Sequence, residues 1–414
     1  MKKVFKVFYS QLLNSFFPLL IVFILLKLKD KENVGNVLLL INYANFYLLF
    51  SDYSANISFL KDALNNGGIN ISTNSSIIKN IEHYLGIKFI VLAFGFILWG
   101  ILCFTVSALK QHSFANLFAY SFIIGYNLNY YWIYMCSNKE HYFIISNFLS
   151  RISLLLLIVI FVYTNNSFTW LMATVGFVST FIAIVYFRQF CKKFNLSPNF
   201  NRNSILLSAQ ILKRDFNLMI SNFFLMTPIL SLNFFAGYIK PIGTIPIYGF
   251  AEKIFYLIRS TLSIFINSVY PGLCNKQISG KRKYLIFAFF YTCIIVSCLI
   301  LFWSKHYITN YLKFSVYDAT LFNKCLNYFI LTILILSINV PFMLWALTKD
   351  ILLTKASIAV FSIACTLIIA IFTLTSTFLQ GAANALPNAL FISESLIVLG
   401  FFILYVKFRR PSSS

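Results

Sequence analysis

The stretch YLIFAFFYTCIIVSCLILFW, Tyr284 to Trp303, contains no Asp, Glu, Lys or Arg, and it directly follows Lys281, Arg282 and Lys283. An uncharged run of about 20 residues is what an α-helix needs to cross the hydrocarbon core of a bilayer. Inside lipid the backbone must satisfy its own hydrogen bonds, so a helix is the form such a run takes. Similar runs recur along the 414 residues: 59% of the chain is hydrophobic, only 11% is charged, and the mean hydropathy is +0.80. Soluble globules carry about 25% charged residues. This chain cannot coat itself with a water-facing surface, and no long soluble region remains.

Reading outward from Tyr284–Trp303, apolar runs between polar breaks give twelve expected spans: about 8–28, 34–60, 84–107, 115–136, 142–163, 168–190, 213–237, 246–271, 284–303, 322–346, 352–376 and 386–407. The expectation is an all-α polytopic membrane protein. Lys2, Lys3 and Lys6 precede the first run, but no small-residue cleavage site follows it, so it reads as a retained span rather than a signal peptide. The eight cysteines include no C-x-x-C and no metal spacing, and Cys103, Cys136, Cys293, Cys298 and Cys365 lie within apolar runs. There they read as small hydrophobes.

A formal net charge of +22 would suggest nucleic acid in a soluble protein. Here the basic residues divide between alternate connections, 22 on one set and 8 on the other, with Arg151, Lys253 and Arg259 inside spans. The positive-inside rule then places both termini in the cytoplasm, which requires an even number of helices. The longest polar stretch between spans, 191–212, divides the chain six and six. The expected organisation is an N-terminal lobe over 1–195, a cytoplasmic linker over 196–212 and a C-terminal lobe over 213–414. Both lobes would begin on the same membrane side, as parallel repeats do. The connections on the less basic side are short, the longest expected over 304–321.

Charges at membrane depth usually face a cavity or a partner. In the eighth span Glu252, Tyr256, Arg259, Ser263 and Asn267 follow helical spacing, so they line one face. Such a stripe would be costly against lipid and fits a cavity wall; a Glu252–Arg259 pair that merely joins helices is the alternative. Lys253 is expected about 100° away from that stripe. In the second span Asn42, Asn45, Asp52 and Asn56 form a similar stripe. Asp52 is either a coupling carboxylate or a buried group bonded to its polar neighbours. Arg151, well inside the fifth span, suits phosphate through its planar fork, although snorkelling to the interface would also explain it. Glu394 in the last span, after Asn388 and Ser393, is a further candidate coupling carboxylate. Pro18, Pro228, Pro341 and Pro387 fall within or at the ends of spans and imply kinks. Tyr130, Tyr131, Trp132 and Tyr134 read as an interfacial aromatic belt.

The run GTIPIYGFAEKI (Gly243 to Ile254), followed by SVYPGL (Ser268 to Leu273), resembles the Wzx-type O-antigen flippases. These belong to the multidrug, oligosaccharidyl-lipid and polysaccharide exporter superfamily. The family pattern joins a Gly-x-Tyr, an Ala-Glu-Lys and a Tyr-Pro in one span. Ala251, Glu252 and Lys253 match the triplet, and Tyr270 and Pro271 match the close. LLFSDYSANISFLKDA is similar to the second-span region, where the family has Asp-Phe-Gly or Asp-Leu-Gly; here Asp52, Tyr53 and Ser54 stand.

The resemblance implies a MATE-like fold of two six-helix lobes around a central cavity in the bacterial inner membrane. It implies a substrate of undecaprenyl-pyrophosphate-linked oligosaccharide, moved between leaflets by alternating access. Arg259, Arg151 and Lys253 are then the expected pyrophosphate contacts. Asp52, Glu252 or Glu394 would couple an ion, H+ or Na+, and no other cofactor is expected. Asn45, Asn56, Tyr256, Ser263 and Asn267 would line the cavity. Polymerase and chain-length proteins of the same pathway are the expected protein partners. Competing readings are a drug or cation antiporter of the same superfamily and a membrane glycan polymerase. The latter would carry a large outer loop, which this sequence lacks.

Overall fold

The computed structural model describes residues 16–27, 31–52, 75–105, 107–110, 113–128, 140–164, 170–193, 208–216, 242–274, 280–348 and 382–409, with a few single positions between them. Among the described residues there is no strand. The helices are α1 (Phe16–Lys27), α2 (Lys31–Asp52), α3 (Ser75–Thr105), α4 (Ser107–Lys110), α5 (Ser113–Phe118), α6 (Tyr120–Leu128), α7 (Glu140–Tyr163), α8 (Leu171–Lys193), α9 (208–216), α10 (Ile245–Cys274), α11 (Gly280–Tyr311), α12 (Val316–Thr348) and α13 (Ala382–Arg409). Six of them hold a stretch long and apolar enough to span a bilayer: α3, α7, α8, α11, α12 and α13. α1 and α2 carry shorter apolar stretches. The expected spans 213–237 and 352–376 lie almost wholly outside the described residues.

The founding stretch sits in α11, where Leu285, Phe289, Ile300 and Trp303 are exposed, Phe289 by 73% and Trp303 by 76%. α3 likewise turns Phe89, Phe94, Ile97 and Ile101 outward. Apolar faces of this extent are a lipid-facing surface, since water would not tolerate them on a monomer. The chain is a multi-pass membrane protein.

The chain divides into two compact units: residues 1–38 with 224–414, and residues 39–223. In the first, α12 packs against α10, α11 and α13. Phe322 stacks on Phe250 and Phe329 on Phe255, so α10 and α12 run in the same direction. Ser315 caps α12, accepting a hydrogen bond from the Asp318 amide at 3.2 Å. The Asp318 side chain forms an ion pair with Lys31 at the start of α2. An N-cap oxygen satisfies one of the amides a helix start leaves open.

In the second unit α8 packs on α6 and α7. A Cβ at Gly176 would collide with Ser121 and the Phe122 backbone, and one at Gly125 would crowd the Thr180 amide. Small residues let membrane helices approach closely enough to hydrogen-bond. Here Thr180 donates to the Ser121 carbonyl at 2.9 Å and Ser121 to the Ala173 carbonyl at 3.1 Å. Tyr47, Trp99 and Tyr120 pack edge-on and each donates to a backbone carbonyl, those of Gly95, Asn116 and Leu92.

Several expectations about extent change. The connection expected over 304–321 is nearly all helix, with α11 reaching Tyr311 and α12 starting at Val316. Hydropathy locates lipid, not the helix end, and polar Ser304, Lys305 and His306 continue the helix. The span expected over 115–136 is instead segmented into α5 and α6. Pro341 and Pro387 lie within α12 and α13, which continue through them. Tyr134 is not part of an interfacial belt: it is buried, stacked on Tyr142 and edge-on to Phe190.

Candidate functional site

The candidate site of the first unit begins on α10. The segment from Ile245 is helical because Pro246 is tolerated in a first turn, where its missing amide has no partner to lose. From there Tyr248, Glu252, Tyr256 and Arg259 recur at helical spacing. The Ser263 and Asn267 backbones continue the helix, while their side chains lie outside the described residues. Glu252 is wholly buried and Lys253 nearly so. Lys253 Nζ lies 3.0 Å from Glu252 Oε2 and 5.2 Å from the centroid of the Tyr256 ring. The expectation that Lys253 points away from the stripe is therefore corrected. Its four-carbon stem folds the ammonium back to the neighbouring Glu252 carboxylate, since a bare charge in this interior would be prohibitive. The second oxygen of Glu252 and the Tyr248 hydroxyl are buried and meet no hydrogen-bond geometry among the described residues.

Farther along α10, Arg259 Nη1 lies 3.6 Å from Oε1 of Glu394 on α13. The separation is an ion pair slightly beyond hydrogen-bond reach. Glu394 is 4% exposed and the Arg259 side chain 22%, so the carboxylate is enclosed, the facing Nη1 is buried, and part of the arginine side chain stays accessible. Ser393, next to Glu394, is buried and donates to the Ala364 carbonyl at 3.4 Å. The alternative Glu252–Arg259 pair does not form. Each partner takes another counter-charge, and among the described residues α10 carries two ion pairs rather than one. A carboxylate that clamps a guanidinium incompletely can exchange it for another anion, and phosphate is the oxyanion best matched to its planar fork.

The remaining candidates lie in the second unit. Arg151 on α7 is half-buried, with Tyr126 of α6 within electrostatic reach. Asp52 is the last residue of α2; its side chain and that of Asn45 lie outside the described residues, as does all of Asn56. Asn42 is buried.

One basic residue was missed by the sequence reading. Lys88, counted with the loop before its span, is 3% exposed within the apolar stretch of α3 and donates to Asn127 Oδ1 of α6 at 3.2 Å. Arg151, Lys253 and Arg259 are thus not the only cations held at depth. The available signal was its position, inside the apolar run and beyond Tyr84 and Leu85.

No protein-family model and no curated protein matches the sequence. Solved structures do match along nearly the whole chain. The lipid II flippase MurJ in an inward closed conformation aligns with a TM-score of 0.66 at 14% identity, over 97% of this chain and 86% of that one. An inward-facing multidrug resistance MATE family transporter of the MOP superfamily aligns with a TM-score of 0.66 at 11% identity, over 98% and 96%. A eukaryotic MATE transporter aligns with a TM-score of 0.61 at 11% identity, over 96% and 93%. The chain therefore has the all-helical, polytopic fold that this lipid flippase shares with the MATE transporters.

Proposed function

We propose that this protein is a flippase that moves an undecaprenyl-pyrophosphate-linked oligosaccharide repeat unit, of O-antigen or a related glycan, across the bacterial inner membrane by alternating access. The observation that carries the reading is the Arg259–Glu394 pair, a guanidinium held in a membrane interior at 3.6 Å, just beyond hydrogen-bond reach, by a carboxylate on another helix. A pyrophosphate cannot enter hydrocarbon bare, and a guanidinium already desolvated by its site needs little rearrangement to receive it. On this reading the substrate phosphates displace Glu394 from Arg259, and the released carboxylate takes up H+ or Na+. Release of the lipid on the far side lets the pair re-form. Lys253 and Arg151 serve as further phosphate contacts, and Tyr256, Ser263 and Asn267 line the path. The lobes of this cycle are 1–195 and 213–414, joined by a cytoplasmic linker over 196–212, with both termini in the cytoplasm. Polymerase and chain-length proteins are its pathway partners.

The fold shared with the MurJ lipid II flippase supports a lipid-linked substrate. The fold shared with MATE transporters, and the wholly buried carboxylate of Glu252, favour one rival: an antiporter that binds a cationic drug at that carboxylate. Deletion of the gene separates the two. Loss of a flippase leaves single lipid-linked repeat units on the cytoplasmic leaflet and no surface glycan. Loss of an antiporter leaves glycan intact and raises accumulation of cationic dyes.

A further inference from the structure

At the end of the second unit where α3 begins and α8 stops, α9 is fastened onto the bundle by polar ties. Ser208 donates to the His83 carbonyl at 2.9 Å. Arg214 donates from Nε and Nη2 to Asp215 at 2.8 and 3.2 Å, and from Nη2 to the Tyr84 hydroxyl at 3.1 Å. The Tyr84 hydroxyl in turn donates to Asp215 Oδ2 at 3.4 Å. Ile211 and Leu212 pack against the buried cluster of Tyr84, Tyr134, Tyr142 and Phe190. The ties and the packing hold α9 across the end of the bundle.

The outward face of this assembly combines two features. Lys213, and Arg188, Lys192 and Lys193 from the last turns of α8, are exposed. These four cations meet no carboxylate among the described residues, while the neighbouring Asp215 is buried and taken by Arg214. Leu206 and Phe216, at either end of the α9 segment, are exposed as well. The apolar span of α8 ends at Lys193, so these cations lie where hydrocarbon gives way to headgroups. Exposed apolar residues at the ends of α9, together with cations that meet no carboxylate among the described residues, complement one surface, an anionic phospholipid with its phosphate on the lysines and its acyl boundary against Leu206 and Phe216.

We propose that this face binds an anionic phospholipid headgroup through Arg188, Lys192, Lys193 and Lys213. The binding is a property of the membrane-embedded chain and is independent of what the protein transports.

The test is native mass spectrometry of the purified full chain titrated with phosphatidylglycerol or with phosphatidylcholine. The wild type should retain phosphatidylglycerol on the order of tenfold more strongly than phosphatidylcholine. The K192Q/K193Q/K213Q variant should lose most of that preference, and K305Q/K313Q/K324Q, with the same loss of charge elsewhere, should keep it. All six lysines are on or near the surface; monodisperse elution checks each variant, and Lys213→Glu is the single-site substitute if the triple variant elutes poorly. The proposal is overturned by equal retention of the two lipids, by a wild-type preference in the first variant, or by an equal loss in the second.

Discussion

Arg259 on α10 and Glu394 on α13 face each other at 3.6 Å, with the carboxylate enclosed and part of the arginine side chain accessible. The pair joins two helices that both pack against α12. Removing one member of a buried pair costs about 3–5 kcal/mol, because it strands the other charge, whereas removing both is far milder. Arg259→Met and Glu394→Leu should each lower the thermal unfolding midpoint of the purified protein, and the double substitution should recover part of the loss. A double variant whose loss is the sum of the two single losses would show that the two residues are not coupled. Transport separates from stability here: Arg259→Met/Glu394→Leu should still abolish surface glycan in cells, whereas normal glycan would remove the pair from the mechanism.

Lys88 and Asn127 make a second test of interior polarity. Lys88→Met keeps the stem and removes the donor, leaving the Asn127 oxygen short of the bond it makes at 3.2 Å. A buried polar group deprived of its partner costs about 1–3 kcal/mol. Thermal unfolding of Lys88→Met should show that loss, and Lys88→Met/Asn127→Leu should show less. A Lys88→Met protein as stable as the wild type would mean the bond contributes nothing.

Gly176 tests the close approach of α8 to α6. An added side chain there meets the Phe122 backbone, which cannot swing aside as a flexible side chain could. Overpacking of this kind costs about 1–3 kcal/mol, and more where helices must separate. Gly176→Val should lower the unfolding midpoint well beyond Gly100→Val, since a Cβ at Gly100 meets only Leu117 Cδ1 at 3.8 Å. Equal midpoints would place the two helices farther apart than described.

Ser315 tests the start of α12. Ser315→Ala removes the oxygen that receives the Asp318 amide and should cost about 1 kcal/mol. Ser315→Asp should restore most of it, because Asp caps as well and its charge favours a helix N-terminus. Chemical unfolding of the two variants in detergent checks the order.

The sequence made the fold class legible because hydropathy reports on lipid contact, and Tyr284–Trp303 has no other way to exist in a membrane. It made the stripe on α10 legible for the same reason: Glu252 and Arg259 are expensive in lipid and recur on one helical face. What stayed hidden was pairing. Glu252 took the residue beside it, and Arg259 took Glu394 from a helix far along the chain; no spacing rule encodes either choice. Lys88 was hidden by its place, four residues beyond Tyr84, where a span start and a loop end look alike. The reach of α11 to Tyr311 was hidden because hydropathy is silent once a helix leaves the hydrocarbon.

The ion pair between Lys31 and Asp318 joins residues 287 positions apart, and α1 with the first part of α2 belongs to the unit otherwise built from 224–414. At a ribosome's pace of about 5–20 residues per second, that separation is roughly a quarter of a minute to a minute of synthesis. The opening helices therefore enter the membrane long before their packing partners exist. They must wait there in a provisional arrangement, exposed to proteolysis or to stray association. Completion of this unit is a late event in biogenesis, so a nascent chain arrested before Asp318 should expose α1 to proteases that the finished protein resists.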